Sequence, residues 1–276
     1  MKKNIYTVLL LFMVLLAATA CGILQEPAEP SATIEAVPLE IEESEEPAAV
    51  EEPTEAAEEP PVELDEAEET MEEEAVEEEA AEEPTEETAA ESSEAAVAGA
   101  TIYEISQAES TVQFELEEDL RGVRTTVVGA TDQVAGQIAL DFSDLSTAQV
   151  GEIQINARTL ATDNNFRNRA IQNEILETGA YEFISFAPTT VNGLPASAGL
   201  GEEISFTIDG DLTIRDITEP VTFTVVATAV SDTQISGTAT ATVLRDTYGL
   251  NIPEVPNVAN VENEVDLIIT FVASAS

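Results

Sequence analysis

The chain has 276 residues, enough for one or two domains, and sets 56 Asp or Glu against nine Lys or Arg. So acidic a chain repels phosphate backbones and has no basic patch for anionic headgroups, which excludes nucleic acid as a partner and requires any membrane attachment to be covalent or apolar. One Cys and no His exclude an internal disulfide, a Cys/His zinc site, His-ligated haem, and Ser–His or Cys–His catalysis.

Residues 1–20 read as a signal peptide. Lys2 and Lys3 precede an apolar run from Ile5 to Ala20, and the run ends in Ala18-Thr19-Ala20 before Cys21. At roughly 16 residues it falls short of the ~20 needed to span a bilayer. The string LAATAC resembles a bacterial lipobox, which implies cleavage before Cys21 and acylation of that residue. Lipidated Cys21 then opens a tether over residues 21–100. Residues 22–100 hold 30 of the acids, no Lys or Arg and no aromatic residue. Such Glu/Ala/Pro-rich chain cannot bury enough apolar surface to offset its entropy, so a disordered linker is expected. No calcium-loop spacing interrupts it.

From residue 101 to 276 the chain is mainly β. Apolar and polar residues alternate in EISFTIDGDLTI, where Ile204, Phe206, Ile208, Gly210, Leu212 and Ile214 share one face. TVQFELE, VAGQIALDF and PVTFTVVATAV repeat the pattern, for eight or nine strands in all. The segment around 162–176 breaks it and predicts one or two short helices capped by Thr162 or Asp163. Without helices between successive strands the sheet is antiparallel, either a sandwich or an up-and-down barrel. Small residues on the apolar faces, such as Ala227, Gly136, Gly210 and Gly237, either leave room inside or mark bends. Asp209 and Asp211 share one strand face and read as solvated, and no carboxylate pair is identifiable as hydrolytic.

Three strings together carry a resemblance: Tyr103-Glu104-Ile105 followed by Ser110, Val112 and Phe114; LATDNNFRNRAIQNEILETGAYEFISFAP at 160–188; and GDLTIRDITEPVTFTV at 210–225 followed by VLRDTYGL at 243–250. In this order and spacing residues 101–276 resemble the YceI-like family of exported, isoprenoid-binding barrels. The resemblance implies an extended, antiparallel, lipocalin-like β-barrel with one or two short helices. It also implies a non-catalytic role with an isoprenoid lipid as ligand, no cofactor and no metal. The bore then falls to Phe114, Ile138, Leu140, Phe183, Phe186, Phe206, Ile208, Leu212, Phe223 and Val225. The mouth falls to Asp163, Asn164, Arg167 and Arg169. Thr162, Asp163, Asn164 and Arg167 match the family's TDN-x-x-R stretch, and Arg245 and Gly249 match its later motif. Read without the resemblance, Asp163 and Asn164 are helix caps and the arginines pair with surface acids. The expectation is a cell-envelope lipoprotein outside the cytoplasm, anchored to the outer face of the cell membrane or to the outer membrane. It would carry or store a quinone-type or polyprenyl lipid. The alternative is a structural or adhesive module with a solid barrel, and the volume inside the barrel separates the two.

Overall fold

The computed structural model describes residues 25–31, 34–39 and 100–275. The expected signal peptide, Cys21 and residues 40–99 of the expected tether lie outside the described residues.

Among the described residues, period-two alternation produces thirteen strands in one antiparallel sheet. They are β1 (Thr101–Ile105), β2 (Thr111–Leu120), β3 (Val123–Thr131), β4 (Val134–Ala135), β5 (Gln137–Asp141), β6 (Asp144–Val150) and β7 (Ile153–Asn156), then β8 (Phe183–Asn192), β9 (Glu203–Ile214), β10 (Ile217–Ser231), β11 (Gln234–Leu244), β12 (Val258–Ala259) and β13 (Glu264–Ala275). Several are parts of one bent stave. β1 runs into β2 through a short 3-10 turn at Gln107–Glu109, β4 into β5 at Gly136, and β6 into β7 at Gly151 and Glu152. Strands β8, β9, β10, β11 and β13 pair in succession, β13 pairs with β1 and β2, and β5 and β3 pair with these in turn. β6 and β7 then join β5 and β4 to β8. The sheet therefore curls back on itself as a lipocalin-like barrel, and the sandwich does not form. The short bent pieces explain why eight or nine strands were expected and thirteen are found.

Beyond the short Ala130–Ala161 bridge, the free edge of β3 has no strand neighbour. A helical segment follows Ala161 here: α1 (Asn165–Ala170) and one wide turn, Ile171–Ile175. The cap is Asn164, as the reading of Asp163 and Asn164 as caps has it, and not Thr162 or Asp163. Its side-chain oxygen accepts from the Phe166 and Arg167 amides at 2.9 and 3.3 Å. Thr162 instead donates its amide and hydroxyl to Asn168 Oδ1, at 2.7 Å each.

Residues 25–31 and 34–39, expected as part of a disordered tether, run without helix or strand along the barrel wall. Ile34 is buried, and Leu39 packs where Gly151 has no side chain. Barrel side chains serve this segment's backbone. Asn173 donates to the Gln25 carbonyl, Arg158 to that of Glu29 and Gln107 to that of Ile34, while Gln137 accepts from the Leu39 amide. Ser31 donates its amide and hydroxyl to Glu182, which also takes Asn156 and Arg158. Burial pushes the Glu182 carboxyl up, but these hydrogen bonds and the Arg158 charge outweigh it, so its pKa lies below the ordinary value.

Two glycines and one tyrosine make this architecture testable. A Cβ on Gly210 would lie 2.5 Å from the Ala187 carbonyl oxygen and 2.6 Å from the Phe186 ring. Gly210→Ala is expected to cost about 1–3 kcal/mol by urea denaturation, whereas Gly122→Ala, in open space at a positive φ, tests turn strain alone. Tyr248 is buried and its hydroxyl has no partner among the described residues. Burial, then the charge of Glu219, pushes its pKa up to about 12 from an ordinary 10. Above pH 10 the unfolded chain releases a proton that the folded chain keeps, so stability should fall between pH 10 and about 12. Tyr248→Phe should flatten part of that fall without loss of stability at pH 7, as read by thermal melts across the range.

Candidate functional site

The inward faces of β2, β8, β9 and β13, together with the helical segment and residues 250–261, enclose a cavity of about 410 Å³. That is within the range of small-ligand sites. Its lining is apolar except for Gln113, Glu118, Asn164, Arg167 and Arg245. The volume survives because large rings lie against the wall. Phe114 sits opposite Gly129 in the β2–β3 register and its ring fills the space a Cβ would take; Phe186 does the same over Gly210. A second apolar cavity of about 110 Å³ lies deeper, toward the β5–β6 end. Phe186, Phe223 and Ile269 border both cavities. The two rings meet edge to face at 4.9 Å and form the partition.

Apart from Gln113, farther along β2, the polar groups gather at the open end. The alternation Val112, Phe114, Leu116 carries Glu118 to the inner face of β2, where it is 5 % exposed. Arg167 on α1 reaches it at 2.9 Å and also pairs with Asp163 at 2.7 Å. Arg245 is held by carbonyl oxygens, donating to Glu262 and Leu250 at 2.8 Å each. Its charge therefore has no carboxylate partner among the described residues, unlike that of Arg167.

The residues expected in the bore divide between the two chambers. Phe114 and Leu212 line the larger one, and Ile138, Leu140, Phe206, Ile208 and Val225 line the smaller, with Phe186 and Phe223 between. Phe183 does not belong to it. It is 38 % exposed on the outer face of β8, because it stands three residues from Phe186 and a two-residue period cannot turn both inward. At the mouth, Asn164 and Arg167 line the cavity, while Asp163 touches it only through Arg167. Arg169 lies on α1 away from the lining. The sequence reading missed Glu118, although the β2 alternation points to it. It also missed the 250–258 loop, whose Leu250, Ile252, Pro253 and Val255 close one side and follow no period. Among the described residues no group of three or more His, Cys, Asp or Glu is placed to hold a metal.

A curled antiparallel barrel with an apolar bore and a few polar groups at one end defines a lipocalin-like binding fold. The YceI-like domain matches residues 103–273, and the chain belongs to that family. A solved polyisoprenoid-binding domain from Saccharophagus degradans, implicated in plant cell wall breakdown, is similar with a TM-score of 0.51 and 12 % identity, over 63 % of this chain and 98 % of that one. BcnA of Burkholderia cenocepacia is similar with a TM-score of 0.50 and 17 % identity, over 62 % of this chain and 99 % of that one. No curated protein matches the chain.

Removing one partner of the Glu118–Arg167 pair leaves the other without its counter-charge. Arg167→Met should destabilise by about 1–3 kcal/mol, and adding Glu118→Leu should recover most of that loss. Denaturant titrations of the single and double variants check it; a single-variant loss under about 0.5 kcal/mol, as for an exposed pair, would contradict this account.

Proposed function

We propose that the barrel binds a long-chain isoprenoid lipid of quinone or polyprenyl type, with its tail in the bore and its head near Arg167 and Arg245. The protein serves as a carrier or reservoir outside the cytoplasm, held to the cell membrane's outer face or to the outer membrane through an acylated Cys21. The observation that carries this reading is the apolar cavity of about 410 Å³ with its charged lining groups, Glu118, Arg167 and Arg245, at one end. A solid structural or adhesive module would need a filled interior. The polyisoprenoid binding of the Saccharophagus degradans domain, which shares the fold, supports the choice of ligand, and the LAATAC string supports the anchor.

Burial of apolar surface contributes roughly 25 cal/mol per Å², so a long tail binds without any charged contact. Arg245, its charge held only by carbonyls, is the group best placed to donate to a head-group oxygen. The polar and ionic cluster at the mouth then orients the head rather than supplying the affinity. Extracellular binding of this kind calls for no catalytic group.

Mass spectrometry of lipid extracted from protein purified out of its native membrane should show isoprenoid chains. Retention should change little between low and high salt. Ile208→Asp places a charge in the deeper chamber and should abolish retention, with a cost in stability. Ala227→Phe fills that chamber without charge and should reduce the longest chains retained. Lipid-free wild-type protein from such a preparation would overturn the reading.

A further inference from the structure

We propose that the rim of the cavity mouth is a docking surface for the lipid bilayer that carries Cys21, and that residues 25–31 and 34–39 are the strap that turns the mouth toward it. The inference rests on the anchored reading above and adds an orientation to it.

The first observation is where the strap begins. The Gln25 carbonyl accepts from Asn173, on the helical segment that covers the mouth. From there the strap passes Arg158, Glu182 and Gln107 and ends with Leu39 on Gln137, halfway down the wall. Gln25 lies four residue steps after Cys21, a reach of no more than about 14 Å. An acylated Cys21 is thereby held beside the mouth and away from the opposite end.

The acidic residues do not lengthen that connection. They are inserted between Leu39, bound to Gln137, and Thr101, paired with Leu140 on the same β5. Both junctions lie on β5, so in chain order the barrel is first reached at Gln25, before residues 40–99. The expectation that they space the domain from the membrane therefore does not follow from their length.

The second observation is the rim itself. Phe166 of α1 is 67 % exposed although it lines the cavity, and Val123, beside Leu120 in the β2–β3 turn, is 64 % exposed. Val255 in the facing loop is exposed too. Arg167 pairs with Asp163, and Arg124 is shared by Glu117, Asp119 and Glu262, while exposed Glu254 beside Val255 has no ion pair among the described residues. An apolar rim whose charges include no excess of cations suits a neutral interface and has no use for anionic headgroups. The far end also exposes two apolar residues, Leu200 and Val230, but the strap leads away from it. A tail leaving the bilayer could then enter the bore without crossing water.

The test uses the full-length protein, with acylation verified by intact mass, in phosphatidylcholine vesicles containing spin-labelled lipid. An environment-sensitive fluorophore is attached at Phe166→Cys, Val123→Cys or, at the far end, Leu200→Cys. Severalfold stronger quenching at the two rim positions than at the far one is expected. Combining Ser31→Ala and Ile34→Asp should release the strap and remove most of the rim quenching, while the lipid content of that variant in detergent stays as in the wild type. Equal quenching at both ends, stronger quenching at Leu200, or rim quenching that survives strap release would overturn the proposal. An unacylated Cys21 would overturn it together with the anchored reading. Quenching absent from an acylated, lipid-loaded protein would overturn the orientation alone.

Discussion

The space inside this barrel depends on where its largest inward side chains come to rest. An eight-stave barrel is just wide enough for ordinary side chains to fill it. Here Phe114, Phe186 and Phe271 each lie against a neighbouring glycine, Gly129, Gly210 and Gly237, with ring atoms where a Cβ would stand. A ring flattened into the wall presents its face to the bore and does not cross it. The same residues that add apolar area therefore leave volume, and the cost in strand propensity of three glycines is offset by rings that pack over them. The one place where rings do approach each other, Phe186 with Phe223, is where the bore divides.

Closure sets the second condition. A continuous ladder around the barrel would leave no entrance beside the staves. The sheet avoids this at β3, whose free edge carries, among the described residues, only the Ala130–Ala161 bridge just before the helical segment. Through that arrangement Arg167 arrives opposite Glu118, an acid that strand alternation has already turned inward. The pair ties a helix to the sheet and places polar groups where apolar lining stops. Position and polarity at the mouth thus follow from one topological choice.

Much of this was legible in the sequence. The alternation of β9 and β10 fixes their inner faces, and the TDN-x-x-R segment marks the helical cover. The errors have physical sources. Phe183 and Phe186 are both large and apolar, but their spacing of three allows only one to face inward. The cap stayed open among Thr162, Asp163 and Asn164, all competent caps, because what decides is side-chain pairing: Thr162 bonds Asn168 and Asp163 pairs with Arg167, which leaves Asn164 to cap. The glycines looked ambiguous because a cavity-making glycine and a bend-making one have the same letter; Gly136 interrupts a stave, whereas Gly210 receives a ring.

The strap was illegible for a different reason. Its composition argues for disorder because it offers little apolar surface, and Ile34 and Leu39 are its main apolar contacts. What holds it is supplied by the barrel: Gln107, Gln137, Arg158 and Asn173 satisfy its backbone, and Glu182 takes Ser31 twice. No period or motif in the strap announces those partners. Its prolines also act in the direction opposite to the usual reading. Pro27, Pro30 and Pro38 rule out a helix, yet each fixes φ in the free chain and reduces the entropy lost on docking as an extended segment. A proline-rich, acidic sequence can therefore be poorly suited to folding alone and well suited to lying along a wall that already carries its hydrogen-bond partners.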